Sequence, residues 1–474
     1  MDTKQLRQKI LDLAIRGKLV PQDPNDEPAS VLLERVKAEK ERLVAEGKIK
    51  RSKKSASSSD KPHYPFEIPN NWVWTRLNEI TTLIEDCPHS TAKDEGSGYP
   101  LIRTPNVGVG RLLLEGVHRV SKDVYDKRNI RAIPQEGDII YAREAPAGNA
   151  ATIQKGEIVC LGQRTVLIRP LKGFVDSLLL TYFINAPLSR KSLISKAVGS
   201  TAAHVNMEVI RPFWIPLPPL QEQIRIVKEV ERLFTIINSI EIEQIELENK
   251  ISMMKSRVLE LAISGKLVPQ DPADEPADEL LLRINPSAKA ADKSHYSIPS
   301  TWIWVKLSDI FEINPKNHNN DDEDDCGFVP MAYVQDGYSG EHTFEVRKWG
   351  KVKKGYSHFQ NGDIGVAKIS PCYENLKSTI FHSLPNNIGA GTTELVIMRG
   401  KEIFAPFFLY LFKSPWYISK GTVYFKGVVG QQRVSRDIFT SLEVPLPPLN
   451  EQKRISAKVD ELFAVIDQIQ QSLE

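Results

Sequence analysis

The stretch LDLAIRGKLVPQDPNDEPAS, Leu11 to Ser30, returns as LELAISGKLVPQDPADEPAD, Leu259 to Asp278. Sixteen of the twenty positions are identical, so the chain is an internal duplication. Further matches set its order. NWVWTRL (Asn71 to Leu77) pairs with TWIWVKL (Thr301 to Leu307), and IPLPPLQEQIRI from Ile215 pairs with VPLPPLNEQKRI from Val444. More weakly, EGDIIYAR from Glu136 pairs with NGDIGVAK from Asn361. Each copy runs helix, GKLVPQDP turn, linker, WxW strand start and a domain of roughly 150 residues. It closes on PLPPL and a helix opening with Glu-Gln. The segments are a helix and turn (1–29), a linker (30–64), a first domain (65–218) and a central helix and turn (219–278). A second linker (279–296), a second domain (297–447) and a C-terminal helix (448–474) complete the chain. The first linker holds KIKRSKKSASSSDK, a composition that predicts a solvated spacer.

The helices carry a heptad pattern. Ile226, Val230, Leu233, Ile237, Ile240, Gln244, Leu247, Ile251, Met254, Val258 and Leu261 alternate spacings of four and three, with Gln244 the one polar member. Ile455, Val459, Leu462, Ile466, Ile469 and Leu473 repeat the first half of this seam. Leu6, Ile10 and Leu13 repeat the second half. Joined end to end, the terminal helices equal one central helix. Because domain termini lie close together, each domain sits where one helix ends and its partner begins, so the helices run antiparallel. The expected fold class is α+β: two mixed α/β domains at opposite ends of a long antiparallel helical coiled coil, a pseudo-two-fold repeat with circular permutation.

Composition narrows the class. With 62 basic against 60 acidic residues the net charge is +2, so any basic surface must come from local arrangement. Cys87, Cys160, Cys326 and Cys372 form no CxxC pair, which argues against zinc or a disulfide framework and for a reducing cytoplasm. The polar start is no signal peptide, and no apolar run approaches the roughly 20 residues of a membrane span.

The duplicated LPPLxEQ helix starts, the GKLVPQDP helix ends and the P-x-x-W-x-W-x-x-L openings (Pro69 to Leu77, Pro299 to Leu307) resemble the specificity subunit of Type I restriction–modification systems. The resemblance covers nearly the whole chain. It implies two target recognition domains, each reading half of a split site on double-stranded DNA. It also implies helices that set the spacing and dock two methyltransferase subunits, joined by restriction–translocase subunits. S-adenosylmethionine, ATP and Mg are expected on those partners, and no cofactor or metal on this chain. A two-fold reader suits duplex DNA, whose backbone has the same symmetry.

Enzyme motifs are absent. There is no GxxxxGK[ST] loop. Asn314-Pro315-Lys316-Asn317 does not match the [ND]PP[YF] loop of adenine methyltransferases, and Pro218-Pro219 and Pro447-Pro448 read as helix entries. The expected role is therefore non-catalytic. A fused restriction–methylation enzyme and a structural coiled-coil adaptor are the alternatives.

Base edges are read by Arg, Lys, Asn, Gln or aromatic side chains on loops between strands. In the first domain the candidates are Arg103 and Asn106 in LIRTPNVGVG, Arg143 after the strand Asp138 to Ala142, Arg164 at another strand entrance, and His204 and Asn206 after GSTAA. In the second they are Tyr333, Gln335, Lys368, Gln431, Gln432 and Arg433. Gly17, Lys18, Leu19 and Gly265, Lys266, Leu267 form helix stops, and their recurrence suits a docking surface offered twice to identical partners. Trp72, Trp74, Trp302 and Trp304 read as core. Asp321 to Asp325 reads as a solvated loop turned away from DNA, and Lys48 to Lys54 as a solvated linker.

Overall fold

The computed structural model describes residues 2–50, 62, 64–144, 147–195, 204–291, 295–318, 320–423, 425 and 432–473. The chain divides into two compact units, Met1–Glu243 and Gln244–Glu474. The helix Leu220–Ile263 contributes to both.

In the first unit the helix Thr3–Ile15 is capped by Asp2, whose side chain accepts from Gln5 N. It ends in a Schellman turn: Lys18 N donates to Leu13 O at 2.9 Å and Gly17 N to Ala14 O at 3.1 Å. Gly17 has φ +65°, and a Cβ there would lie 2.5 Å from Pro69 Cγ, so only glycine fits. Val73–Arg76 pairs antiparallel with Trp214–Leu217, which stitches the start of the domain to its end. Inside lies a four-stranded antiparallel sheet ordered Thr81–Asp86, Thr165–Pro170, Ile139–Ala142, Ala150–Thr152. A second sheet is ordered Arg119–Val120, Tyr99–Ile102, Cys160–Leu161. The central strand IIYA is apolar throughout because both faces are covered. Ile139 and Tyr141 join the core built on the helix Ser177–Asn185, whereas Ile140 and Ala142 join the core under the second sheet.

The second unit repeats this plan. Ile303–Lys306 pairs with Glu443–Leu446. One sheet is ordered Phe311–Ile313, Leu395–Gly400, Ile364–Ala367, Ser378–Ile380, and the other Glu345–Lys348, Asp325–Val329, Gly389–Gly391, Ser357–Phe359. Ala405–Lys413 and Pro415–Thr422 cover the core, and Leu449–Leu473 closes the unit. Gly265 repeats the Gly17 turn at φ +70°, under Pro299.

Within each unit the helices run antiparallel, as expected. Arg7 reaches Glu241 at 2.9 Å while Asp26 reaches Arg225 at 2.6 Å. Lys255 reaches Asp467 at 2.5 Å while Asp274 reaches Arg454 at 2.6 Å.

Two expectations need correction. The buried face of the N-terminal helix is Leu11, Ala14 and Ile15, while Leu6 is exposed. The second copy matches it with Leu259, Ala262 and Ile263, while Met254 is exposed. Near the C-terminus Ile455, Val459 and Ile466 are buried as read, but Phe463 is buried beside the half-buried Leu462, and Ile469 is exposed. A strict heptad suits a helix that meets one partner helix. These helices also lie against a globular domain, so their apolar face is wider and rotated. The stretch 30–64 is also more than a linker. Ala29–Ala45 is a helix whose Leu32 and Val36 lie in the main core, and Ala277–Ile284 is its shorter counterpart. The basic, Ser-rich part from Arg51 to Lys61 lies outside the described residues.

Candidate nucleic-acid interface

The duplicated motifs bond chiefly to one another. The Glu222 carboxylate accepts the Trp72 indole N–H at 3.0 Å and the Gln22 amide at 2.6 Å. Its neighbour Gln223 donates to Pro218 O at 3.1 Å and accepts from Asp176 N at 2.9 Å. In the second copy Glu451 accepts from Trp302 at 2.8 Å and Gln270 at 2.5 Å. Gln452 there donates to Pro447 O at 2.8 Å and accepts from Phe404 N at 2.9 Å. Burial pushes both glutamates above the ordinary carboxylate range, and their Trp and Gln donors pull against it. The PxxW, PQDP and LPPLxEQ motifs thus form an internal latch, one per unit. This corrects the docking expectation in part. Gly17 and Gly265 are packed under Pro69 and Pro299, and Leu19 and Leu267 join the cores. Lys18 and Lys266 are exposed.

The base-reading candidates gather in a second repeated feature. In the first unit three chain segments meet past the strand Ile139–Ala142. Arg143 N donates to Arg164 O at 3.2 Å, Val205 N donates to Arg143 O at 2.9 Å, and Glu144 bridges to His204. Gly162 N donates to Ile102 O at 2.8 Å, which brings Arg103 to the same corner. In the second unit Lys368 N donates to Glu394 O at 2.9 Å, Val434 N donates to Lys368 O at 2.8 Å, and Ile369 bridges to Arg433. Thr392 N donates to Val329 O at 3.2 Å, the counterpart of the Gly162 bond. The backbone connections match pair by pair, so Arg143 corresponds to Lys368, Arg164 to Glu394 and His204 to Arg433.

Each corner holds an ion pair. Arg164 Nε lies 2.7 Å from Glu144 Oε2, and Arg433 Nη2 lies 2.8 Å from Glu394 Oε1. The Arg433 guanidinium holds Glu394 below the ordinary carboxylate range. Arg164 has φ +70°, a backbone conformation that turns the chain sharply at the strand entrance.

Not every candidate is free to read a base. Asn106 is buried; its Oδ1 accepts from Arg103 N at 3.1 Å and its amide donates to Leu113 O at 3.4 Å, so it shapes the loop. Arg143 is buried against Asp86 at 3.3 Å. Asn206 is half-buried at the start of the short helix Met207–Ile210, and Gln432 is half-buried with its carbonyl accepting from Ser370 N. Lys368 is half-buried beside Glu394. Gln431 lies outside the described residues.

Tyr333 and Gln335 stand on the adjoining loop. Tyr333 donates its hydroxyl proton to Glu345 at 2.8 Å, and Gln335 is exposed. Two lysines hold this loop from beneath. Lys377 Nζ donates to Val334 O at 2.7 Å, and the buried Lys413 Nζ donates to Gly337 O at 2.6 Å and Leu376 O at 2.8 Å. Burial pushes the Lys413 ammonium down to about 7.

Glu144, Glu394, Lys413 and Gln163 escaped the sequence reading. Gln163 sits beside Arg164, accepts from Thr91 Oγ1 at 2.8 Å and donates to His89 O at 3.2 Å. For Glu144 alone there was a signal: the EGDIIYAR–NGDIGVAK match places Arg143 over Lys368 and so Glu144 over Ile369.

Trp72, Trp302 and Trp304 are buried, and Trp74 stacks on Tyr64, as the core reading expected. Asp322 pairs with Lys353 and Asp325 with Lys348 on an exposed loop. Among the described residues no group of three His, Cys, Asp or Glu is placed to hold a metal, and no helix is long and apolar enough to cross a membrane.

The sequence profile described as the type I restriction modification DNA specificity domain matches residues 69–253 and 299–474. This chain belongs to that family. It is 42% identical over 240 residues to the EcoAI specificity subunit of Escherichia coli, covering 47% of this chain and 41% of that relative. The match to the EcoEI specificity subunit of the same species is also 42%, so the alignment spans about two fifths of either relative's length. The EcoKI specificity subunit of Escherichia coli strain K12 is 23% identical over 433 residues, covering 86% of this chain and 85% of its own. A chain solved in a study of complex assembly and conformational transition of the type I R-M system superposes with a TM-score of 0.59 at 17% identity. It covers 86% of this chain and 94% of its own, and likeness at that identity speaks to fold alone.

Proposed function

We propose that this chain is the DNA-recognition subunit of a Type I restriction–modification complex, reading a bipartite site with one half-site per domain. The observation that carries the reading is the corner repeated in each unit, where matching backbone positions carry different side chains: Arg143 against Lys368, Arg164 against Glu394 and His204 against Arg433. A shared frame with divergent side chains is what two readers of two different half-sites require. Family membership supports the same reading.

In this reading double-stranded DNA is the ligand. Two methyltransferase subunits and the restriction subunits are the partners, they carry S-adenosylmethionine, ATP and Mg, and the complex works in the cytoplasm. The repeated helices add the expectation that the two domains are held at a fixed separation, as a split site needs. The test is long-read mapping of modified adenines in cells carrying this chain with its partner subunits. One split motif, lost when the chain is deleted, is the expected result. Methyl transfer or ATP hydrolysis by the isolated chain would instead support the fused-enzyme alternative.

A further inference from the structure

The ion pairs at the two corners are built from different segments. In the first unit the acid, Glu144, follows the end of the central strand and the arginine, Arg164, stands at the entrance of the neighbouring strand. In the second unit the acid, Glu394, occupies the position matching Arg164, and the arginine, Arg433, occupies the position matching His204. Both corners thus hold an acid–arginine pair, but on different positions of the shared framework.

Both pairs also have the same polarity toward solvent. The carboxylate is the inner partner, with side-chain exposure of 15% for Glu144 and 25% for Glu394. The guanidinium is the outer partner, 50% exposed for Arg164 and 51% for Arg433. Glu394 takes one edge of Arg433, accepting from Nε at 3.0 Å and Nη2 at 2.8 Å. Among the described residues the Nη1 group of Arg433 has no other hydrogen-bond partner. The edge formed by Nη1 and the second Nη2 proton is the one that matches guanine O6 and N7 in the major groove. Arg164 likewise meets Glu144 at Nε, 2.7 Å from Oε2.

A long arginine side chain loses rotamer freedom when it docks, and a carboxylate that already holds it reduces that loss. The same carboxylate repels phosphate. It therefore lowers affinity for DNA in general while sharpening the reading of one base. A pair kept only for surface stability contributes little, since exposed ion pairs are weak.

We propose that Arg164 and Arg433 are the guanine-reading arginines of the first and second domains, and that Glu144 and Glu394 are positioning residues that present their outer edges. The inference rests on the DNA-recognition reading above.

The experiment uses the full chain in complex with its methyltransferase subunits, with adenine-modification maps and DNA-binding measurements for each variant. Glu394→Ala is expected to relax one base pair of one half-site about ten-fold, the size of a lost bidentate contact. It should leave the other half-site intact and binding to unrelated DNA unchanged or stronger. Arg433→Ala should relax the same base pair, and the double variant should do no more than Arg433→Ala alone. Glu144→Ala and Arg164→Ala should behave likewise in the other half-site. Glu394→Gln, which keeps a hydrogen-bond acceptor, should fall between wild type and Glu394→Ala, and thermal melts of every variant check folding. An unchanged motif in both glutamate variants would overturn the positioning role. Equal weakening on all sequences in the arginine variants would mark phosphate contacts and overturn the guanine assignment. A wild-type complex with no sequence preference would instead bring down the recognition reading itself.

Discussion

Glu222 accepts the indole N–H of Trp72 at 3.0 Å with both side chains out of water. A hydrogen bond to a charged group contributes about 1.5–3 kcal/mol, and without the indole Glu222 Oε2 loses its donor while Gln22 still serves Oε1. Trp72→Phe keeps the aromatic packing and removes that donor. It should destabilise the first unit by roughly 1.5–3 kcal/mol, read as a lower urea midpoint. Trp302→Phe should cost the second unit a similar amount, because Glu451 repeats the contact.

The same carboxylate predicts a pH dependence. Glu222 has a folded pKa raised above its ordinary value by burial. The folded state therefore holds the proton at a pH where the unfolded state has released it. Stability from this group is greatest below the ordinary carboxylate pKa and falls as pH rises through that value to the raised one. Urea titrations of wild type and Glu222→Gln between pH 4 and pH 7 measure it. The difference between the two should shrink toward low pH.

Lys413 runs the other way. Its folded pKa is lowered from 10.5 to about 7 by burial. Between those values the unfolded chain binds more protons, so stability of the second unit should rise with pH across the window from about 7 to 10.5. Lys413→Met should flatten that slope. It also strips the Gly337 and Leu376 carbonyls of their donor, so the loop bearing Tyr333 and Gln335 should show faster amide hydrogen exchange.

Gly17→Ala places a Cβ 2.5 Å from Pro69 Cγ on a left-handed backbone. The conformation alone costs an alanine about 1–2 kcal/mol, and the contact adds to it. Lys18→Ala, one residue on and exposed, should stay within about 0.5 kcal/mol of wild type. If the turn docks methyltransferase subunits, Lys18→Ala should weaken assembly of the complex in sedimentation without changing the melt.

Exchange of Pro69–Pro212 for the equivalent domain of a relative should change one half-site of the modification map and leave the other intact. A change in both would show that the domains do not read independently.

The sequence by itself determined the duplication, the order of segments within each copy, the helix stops at Gly17 and Gly265 and the burial of the paired tryptophans. These are local features. A positive-φ turn, a helix cap or an alternating strand start is written in consecutive residues, and near-identical copies double the signal. The antiparallel run of the helices was also legible, because it follows from connectivity.

The tertiary structure alone decided which face of each helix is buried and which polar loop residues are free. Leu6, Ile10 and Leu13 satisfied a heptad, but a second packing partner moved burial to Leu11, Ala14 and Ile15. Asn106 and Arg143 had the right chemistry for reading bases, yet folding used them inside the domain. Arg433 meets Glu394 across 39 residues of chain, and nothing in either neighbourhood announces the other. Such pairs are made by strand register and by a loop returning to a sheet edge. A side chain's availability depends on what those distant segments bring beside it, which no local pattern encodes.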